Sequence, residues 1–231
     1  MMETELLGEP PTSADYQGRW YGVTIGVVTN NQDPEGLGRV KVQLPCLSEE
    51  VETHWARVLT PMAGNGRGVY FLPEVGDEVL VAFEHGVAEF PYVLGALWNG
   101  ADKPPASNAN GENNVRTIKS RSGHVITLDD TKDAGKIIIR DQTGKNEIVI
   151  DSKKNTLTLQ VEGDLTIQTK GTITLTSSSG DLALEGNNIA LKAKQNCEIQ
   201  ANQSCKLQAK DAMTLKCAEG VNVNDGALEV K

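Results

Sequence analysis

Seven side chains in this 231-residue sequence could bind a soft metal, attack a substrate or shuttle protons near neutral pH: Cys46, Cys197, Cys205, Cys217, His54, His85 and His124. None falls in a CxxC, HxH or HExxH spacing, so no metal-ligand set is written locally. Cys197 and Cys205 stand eight residues apart, a spacing that would stack thiols in a regular repeat and admit a soft cation. The preferred reading is a small buried hydrophobe beside Ala201 and Ala209, because neither His nor carboxylate shares those positions. Glu74, Asp77 and Glu78 make a carboxylate cluster, but they flank Gly76 and read as turn residues rather than an acid/base pair. Gly64-Asn65-Gly66-Arg67-Gly68 lacks the Lys of a phosphate loop, and no serine has a GxSxG setting. No catalytic residue, metal or cofactor is expected.

The elements that position these residues fall into two kinds. Every Trp, Tyr and Phe lies between Tyr16 and Trp98, and none follows Asn99. Arg19–Trp98 carries 5 basic and 10 acidic residues, whereas Thr117–Lys231 carries 15 of each. With a net charge of −9, neither a nucleic-acid backbone nor an anionic membrane surface is the expected main partner. No apolar run reaches the roughly 20 residues of a membrane span, and the N-terminus lacks a signal-peptide layout. The chain is expected to fold in the cytoplasm with free thiols.

Residues 1–19 read as a polar, acidic arm. From Trp20, the runs YGVTIGVVTN, GRVKVQL, THWARVLT, DEVLVAFE and PYVLGAL read as five short strands. They predict a five-stranded OB-fold barrel over 20–98, a Greek-key architecture that can also bind oligonucleotides. The barrel is acidic, and Arg39–Leu44 of its second strand offers no stacking residue, so no nucleic acid is expected. Residues 99–116 read as a linker and 117–156 as a β-neck, built from IKSRSGHVITLDD, KIIIRD and NEIVIDS.

Over 157–231 the sequence becomes periodic. Apolar or small residues alternate in triplets that begin at Leu157, Leu165, Ile173, Ile189, Cys197, Cys205, Met213 and Val221, spaced by eight or a multiple of it. The predicted core comprises Leu157 and Leu159, Leu165 and Ile167, Ile173 and Leu175, Ile189 and Leu191, then Ile199, Leu207, Met213 and Leu215. A slip of one residue at Leu182-Leu184 predicts a bulge or lengthened turn near Ser179-Gly180-Asp181. One octad buries roughly 4–6 kcal/mol of apolar surface, against roughly 8–16 kcal/mol for ordering eight backbones. It therefore needs neighbours stacked on both sides. Either one chain winds alone into a solenoid, or three chains intertwine; near-identical inward positions favour the intertwined homotrimer, a needle on the order of 45 Å long.

DPEGLGRVKVQLP (33–45), PEVGDEVLVAF (73–83) and PYVLGALWNG (91–100) resemble the OB domain of contractile-tail spike proteins. That group includes phage baseplate assembly protein V, the T4-type cell-puncturing spike and the VgrG proteins of type VI secretion. IKSRSGHVITLDD and NEIVIDS resemble the VgrG neck, and the octads resemble the triple-stranded intertwined β-helix. The resemblance implies a homotrimer on a baseplate hub protein, in a virion tail or injection particle, driven through a target envelope with transient membrane contact. No lysozyme-like insert separates barrel from needle. It also implies a PAAR-type tip protein docked on Val221, Val223, Gly226, Leu228 and Val230. A β-solenoid adhesin or binding module is the alternative, against which the monotonous Lys, Asn, Gln, Thr and Ser of the octad turns weigh.

Overall fold

The computed structural model describes residues 18–46 and 52–219. It is all-β apart from one 3₁₀ turn at Glu84–Gly86 and divides into two compact units, 1–166 and 167–231.

The five strands expected near the N-terminus form a curled sheet: β1 (Val23–Asn30), β2 (Lys41–Gln43), β3 (Arg57–Val58), β6 (Glu78–Phe83) and β7 (Pro91–Ala96). The hydrogen-bonded order is β2-β1-β6-β7-β3, with β3 parallel to β7 and the other pairs antiparallel. The edges meet where Val40 and Ala56 exchange backbone bonds of 3.0 and 2.7 Å. Between β3 and β6 the glycine-rich stretch makes a short hairpin, β4 (Ala63–Gly64) with β5 (Arg67–Gly68).

The core inside this sheet is almost entirely valine: Val28, Val40, Val42, Val79, Val81 and Val93 are at most 1% exposed, and Phe83 is the one buried aromatic among the described residues. The aromatics that mark this half of the sequence face outward instead, with Tyr70, Phe71 and Trp98 each at least two-thirds exposed. Alternating β-branched residues fit a tightly curled sheet, which leaves little internal room for rings. The curl also needs Gly26: a Cβ there would lie 2.2 Å from Val42 Cγ1.

The connecting residues 99–114 are strung on side-chain-capped turns. Asn99 Oδ1 accepts from the backbone N–H of Ala101 and Asp102, and Asn108 Oδ1 from that of Asn113. A second five-stranded sheet follows: β8 (Val115–Lys119), β9 (Val125–Asp129), β10 (Lys136–Arg140), β11 (Glu147–Asp151) and β12 (Thr156–Gln160), all antiparallel neighbours in chain order. Each reversal holds a residue at positive φ: Gly123, Asp133, Gly144 and Asn155. The last two turns are also tied by an aspartate. Asp141 accepts from Thr143, Gly144 and Asn146, and Asp151 from the N–H groups of Lys153 and Lys154. Arg121 at the β8–β9 turn pairs with Glu74 of the barrel at 2.9 Å.

Leu157 and Leu159, assigned to the start of the needle, lie in β12, opposite Ile150 and Ile148 of β11. The reversal at Asn155 keeps this segment within the chain's own sheet. The neck also begins at Val115, inside the stretch assigned to the linker.

Beyond β12, among the described residues, none has positive φ and no strand pairing occurs. Instead, bends recur at 162–163, 170–171, 178–180, 187, 194–195, 202–203, 210–211 and 218–219. Between them lie bend-free segments of six residues, and in each one the second, fourth and sixth places are apolar or small. The slip at Leu182 is absorbed in the bends. The one at 178–180 is a residue longer than its neighbours and the one at 187 a residue shorter, so Ile189 resumes the frame.

Candidate assembly surfaces

The register of the second sheet sorts its side chains sharply. On one face runs the row Ile118–Ile126–Ile139–Ile148–Leu159; beside it runs Leu128–Ile137–Ile150–Leu157, with Arg116 at its end paired to Asp130. These nine aliphatic side chains are 39–71% exposed. The opposite face is mixed: Thr117, Thr127, Ile138, Val149 and Thr158 lie in register across its middle, Lys136 lies between Asp129 and Asp151 and reaches Asp151 at 3.7 Å, and Arg140 holds Glu147 at 2.9 Å. Hydrogen bonds from the Lys154 N–H, then the nearby Lys136, outweigh burial and hold Asp151 below the usual carboxylate range. The all-aliphatic rows are thus the exposed face of the sheet. Covering the apolar rows would contribute on the order of 10 kcal/mol per chain before ordering costs.

The same holds along the octads. Leu165 and Ile167, Ile173 and Leu175, Ile189 and Leu191, Ile199, Leu207, Met213 and Leu215 are each 51–71% exposed. The backbone of these segments makes no ladder among the described residues. A solitary solenoid would bury these side chains on its own turns. Val221, Val223, Gly226, Leu228 and Val230 lie outside the described residues.

The residues weighed for chemistry are not brought together. Cys46 is exposed with Sγ 3.1 Å from Thr24 Oγ1, and Cys197, Cys205 and Cys217 are exposed free thiols. His124 Nδ1 accepts from the N–H of Gln142. Glu74, Asp77 and Glu78 take separate partners: Arg121, the N–H of Glu74, and Asn99 respectively. Among the described residues no group of three or more His, Cys, Asp or Glu is placed to hold a metal ion. No described helix is long and apolar enough to cross a membrane.

A feature the sequence reading missed lies on the outer face of the barrel. Where Val40 meets Ala56, Trp55 comes beside β2, with Arg39 6.0 Å and Lys41 5.7 Å from its ring centre. Arg57 in turn stacks over Tyr92 at 5.7 Å. The second strand does have an aromatic neighbour. It is supplied by a segment too distant in sequence to be read from residues 39–44.

The described residues thus form a curled barrel, an amphipathic sheet and a series of octads whose apolar positions are exposed. Residues 24–98 match the family model of the type VI secretion system/phage-baseplate injector OB domain. The chain is 27% identical over 142 residues to the type VI secretion system spike protein VgrG3 of Vibrio cholerae, covering 58% of this chain and 13% of that protein. It is 33% identical over 103 residues to the spike protein VgrG2a of Pseudomonas aeruginosa, 41% of this chain and 12% of that protein. It is 24% identical over 151 residues to the actin cross-linking toxin VgrG1 of V. cholerae, 64% of this chain and 13% of that protein. The chain spans between about a tenth and a fifth of the length of these and other VgrG relatives. These matches show the resemblance to contractile-tail spike proteins: the chain is VgrG-like, and residues 24–98 are similar to the injector OB domain.

Proposed function

We propose that this chain is the central spike of a contractile injection machine, a homotrimer that pierces a target envelope and works mechanically rather than as an enzyme. The observation that carries the reading is the combination of an injector-type barrel with two successive apolar surfaces, neck face and octads, that the chain leaves open. Three copies satisfy both. Three neck sheets turn their apolar rows toward a common axis, and the octads of three chains supply one another's missing ladders, giving a triple-stranded β-helix. Continuous ladders between chains leave no free strand edge along the shaft, and stiffness under compression follows.

Light scattering on the purified chain is expected to give about three times the 24.8 kDa chain mass, resistant to SDS without boiling because intertwined chains must unthread to part. A stable folded monomer defeats the proposal.

In this reading a baseplate hub protein binds at the barrel and a PAAR-type tip protein at Val221, Val223, Gly226, Leu228 and Val230. Deleting residues 226–231 is expected to abolish co-purification of the tip protein while the trimer persists. Unchanged tip binding places the docking site elsewhere.

A further inference from the structure

Lys41, Trp55, Arg57 and Tyr92 form an outward-facing strip across β2, β3 and β7 in which cations and rings alternate. We propose that this strip is a docking site for an acidic, proline-bearing peptide, and that its occupant is the segment Glu9-Pro10-Pro11-Thr12-Ser13-Ala14-Asp15 of the same chain.

The strip has one cation to spare. Arg39 is held by Asp33 and Glu35, and Lys41 by Glu52. Arg57, exposed and stacked on Tyr92, has no carboxylate within ion-pair distance among the described residues. A cation over a ring keeps its outer side open to an anion, and a guanidinium takes a carboxylate through two parallel bonds.

The chain enters the barrel beside this strip. Trp20 donates its N–H to Gly86 O at 2.7 Å, and Arg19 Nη1 reaches His85 O at 3.3 Å. The approach is close enough that a Cβ on Gly86, which sits at φ +77°, would lie 3.2 Å from Arg19 and Trp20. Glu84 of the same turn accepts from Tyr92 Oη at 2.8 Å. The anchor of residues 19–20 and the ring under Arg57 thus share one short turn. An extended chain spans about 3.5 Å per residue, so Asp15 can lie about 10 Å from Gly18 and Pro11 about 25 Å from it.

The charge and composition match. Residues 1–18 contain Glu3, Glu5, Glu9 and Asp15 and no Lys or Arg. A Pro-Pro pair favours a polyproline-type extension that packs on aromatic faces at small entropic cost. Asp15 on Arg57, with Pro10-Pro11 against Trp55, satisfies both halves of the strip.

The experiment is limited proteolysis of the full chain with chymotrypsin, following cleavage after Tyr16, next to Asp15, by mass spectrometry at low and high salt. At low salt Arg57→Gln and Asp15→Asn are each expected to speed this cleavage about fivefold over wild type, and high salt to remove the difference. Thermal unfolding checks that both variants fold. Equal rates in wild type and variants at low salt overturn the proposal and leave the strip without this occupant. Co-expression of Arg57→Gln chains with tagged wild-type chains separates own-chain from neighbour docking. Protection confined to the tagged chains supports the assignment, and protection shared between both overturns it. Neither result depends on the oligomeric state.

Discussion

Arg39 lies fork to fork against Asp33, with Nε 2.9 Å from Oδ2 and Nη2 2.8 Å from Oδ1. The Asp33 carboxylate is 3% exposed and also accepts the backbone N–H groups of Glu35, Leu37 and Arg39. One side chain thus fixes the whole DPEGLGR loop and delivers Arg39 to the start of β2. The Arg39 guanidinium, then the hydrogen bonds from Glu35, Arg39 and Leu37, hold the Asp33 carboxyl far below the usual carboxylate range against the effect of its burial. Asp33→Ala is expected to lower the melting temperature of the barrel more than Lys41→Ala, whose ion pair with Glu52 is half exposed. Circular-dichroism melts of the two variants compare them directly.

A dependence on pH follows with a definite sign. Burial pushes Asp141 up, but hydrogen bonds from Asn146, Thr143 and Gly144 outweigh it and bring its pKa from 3.8 to about 2. A carboxyl whose pKa is depressed on folding contributes stability above its unfolded pKa and loses it as pH falls through the folded value. Asp33, Asp129 and Asp151 shift in the same direction. Stability is expected to stay level from about pH 7 to pH 5 and to fall between about pH 4 and pH 2. Melts across that range test this, and an onset of loss near neutral pH contradicts it.

Gly26 is the tightest point of the curled sheet. Gly26→Ala sets a Cβ 2.2 Å from Val42 Cγ1, and such overpacking costs about 1–3 kcal/mol. The urea midpoint is expected to drop accordingly, whereas Gly95→Ala, with open space around the new Cβ, should leave it nearly unchanged.

The two faces of the neck sheet make opposite predictions. Ile139→Lys places a charge in the middle of the apolar rows, so assembly is expected to fail and light scattering to report monomer or soluble aggregate. Thr158→Lys lies on the opposite face, across from Val149, and is expected to leave the assembled mass unchanged. Equal behaviour of the two variants removes the apolar face from the assembly.

The octad frame distinguishes bends from segments. Deleting Ser179 shortens a three-residue bend to two residues and leaves every six-residue segment intact, and SDS resistance is expected to persist. Deleting Ala183 falls inside a six-residue segment and turns one side of its apolar positions outward, so SDS resistance is expected to be lost.

Much of this molecule is legible along the chain because its order is local. The octads, the one-residue slip at Leu182 and the neck hairpins depend on alternation and on turn residues within a few positions of one another, and the sequence displays both. The five barrel strands are read from the same kind of signal. Tertiary structure alone decided what those strands enclose: a mostly valine interior with Tyr70, Phe71 and Trp98 outside. Composition records that a segment is rich in aromatics, but the radius of a closed sheet determines whether rings fit within it. Tertiary structure also brought Trp55 to Arg39 and Lys41, because the Val40–Ala56 junction joins strands that no local pattern relates. Leu157 and Leu159 show the boundary between the two kinds of knowledge. Their spacing is that of the octads, yet the reversal at Asn155 hands them to β11, since a strand pairs with whichever ladder its turn presents first.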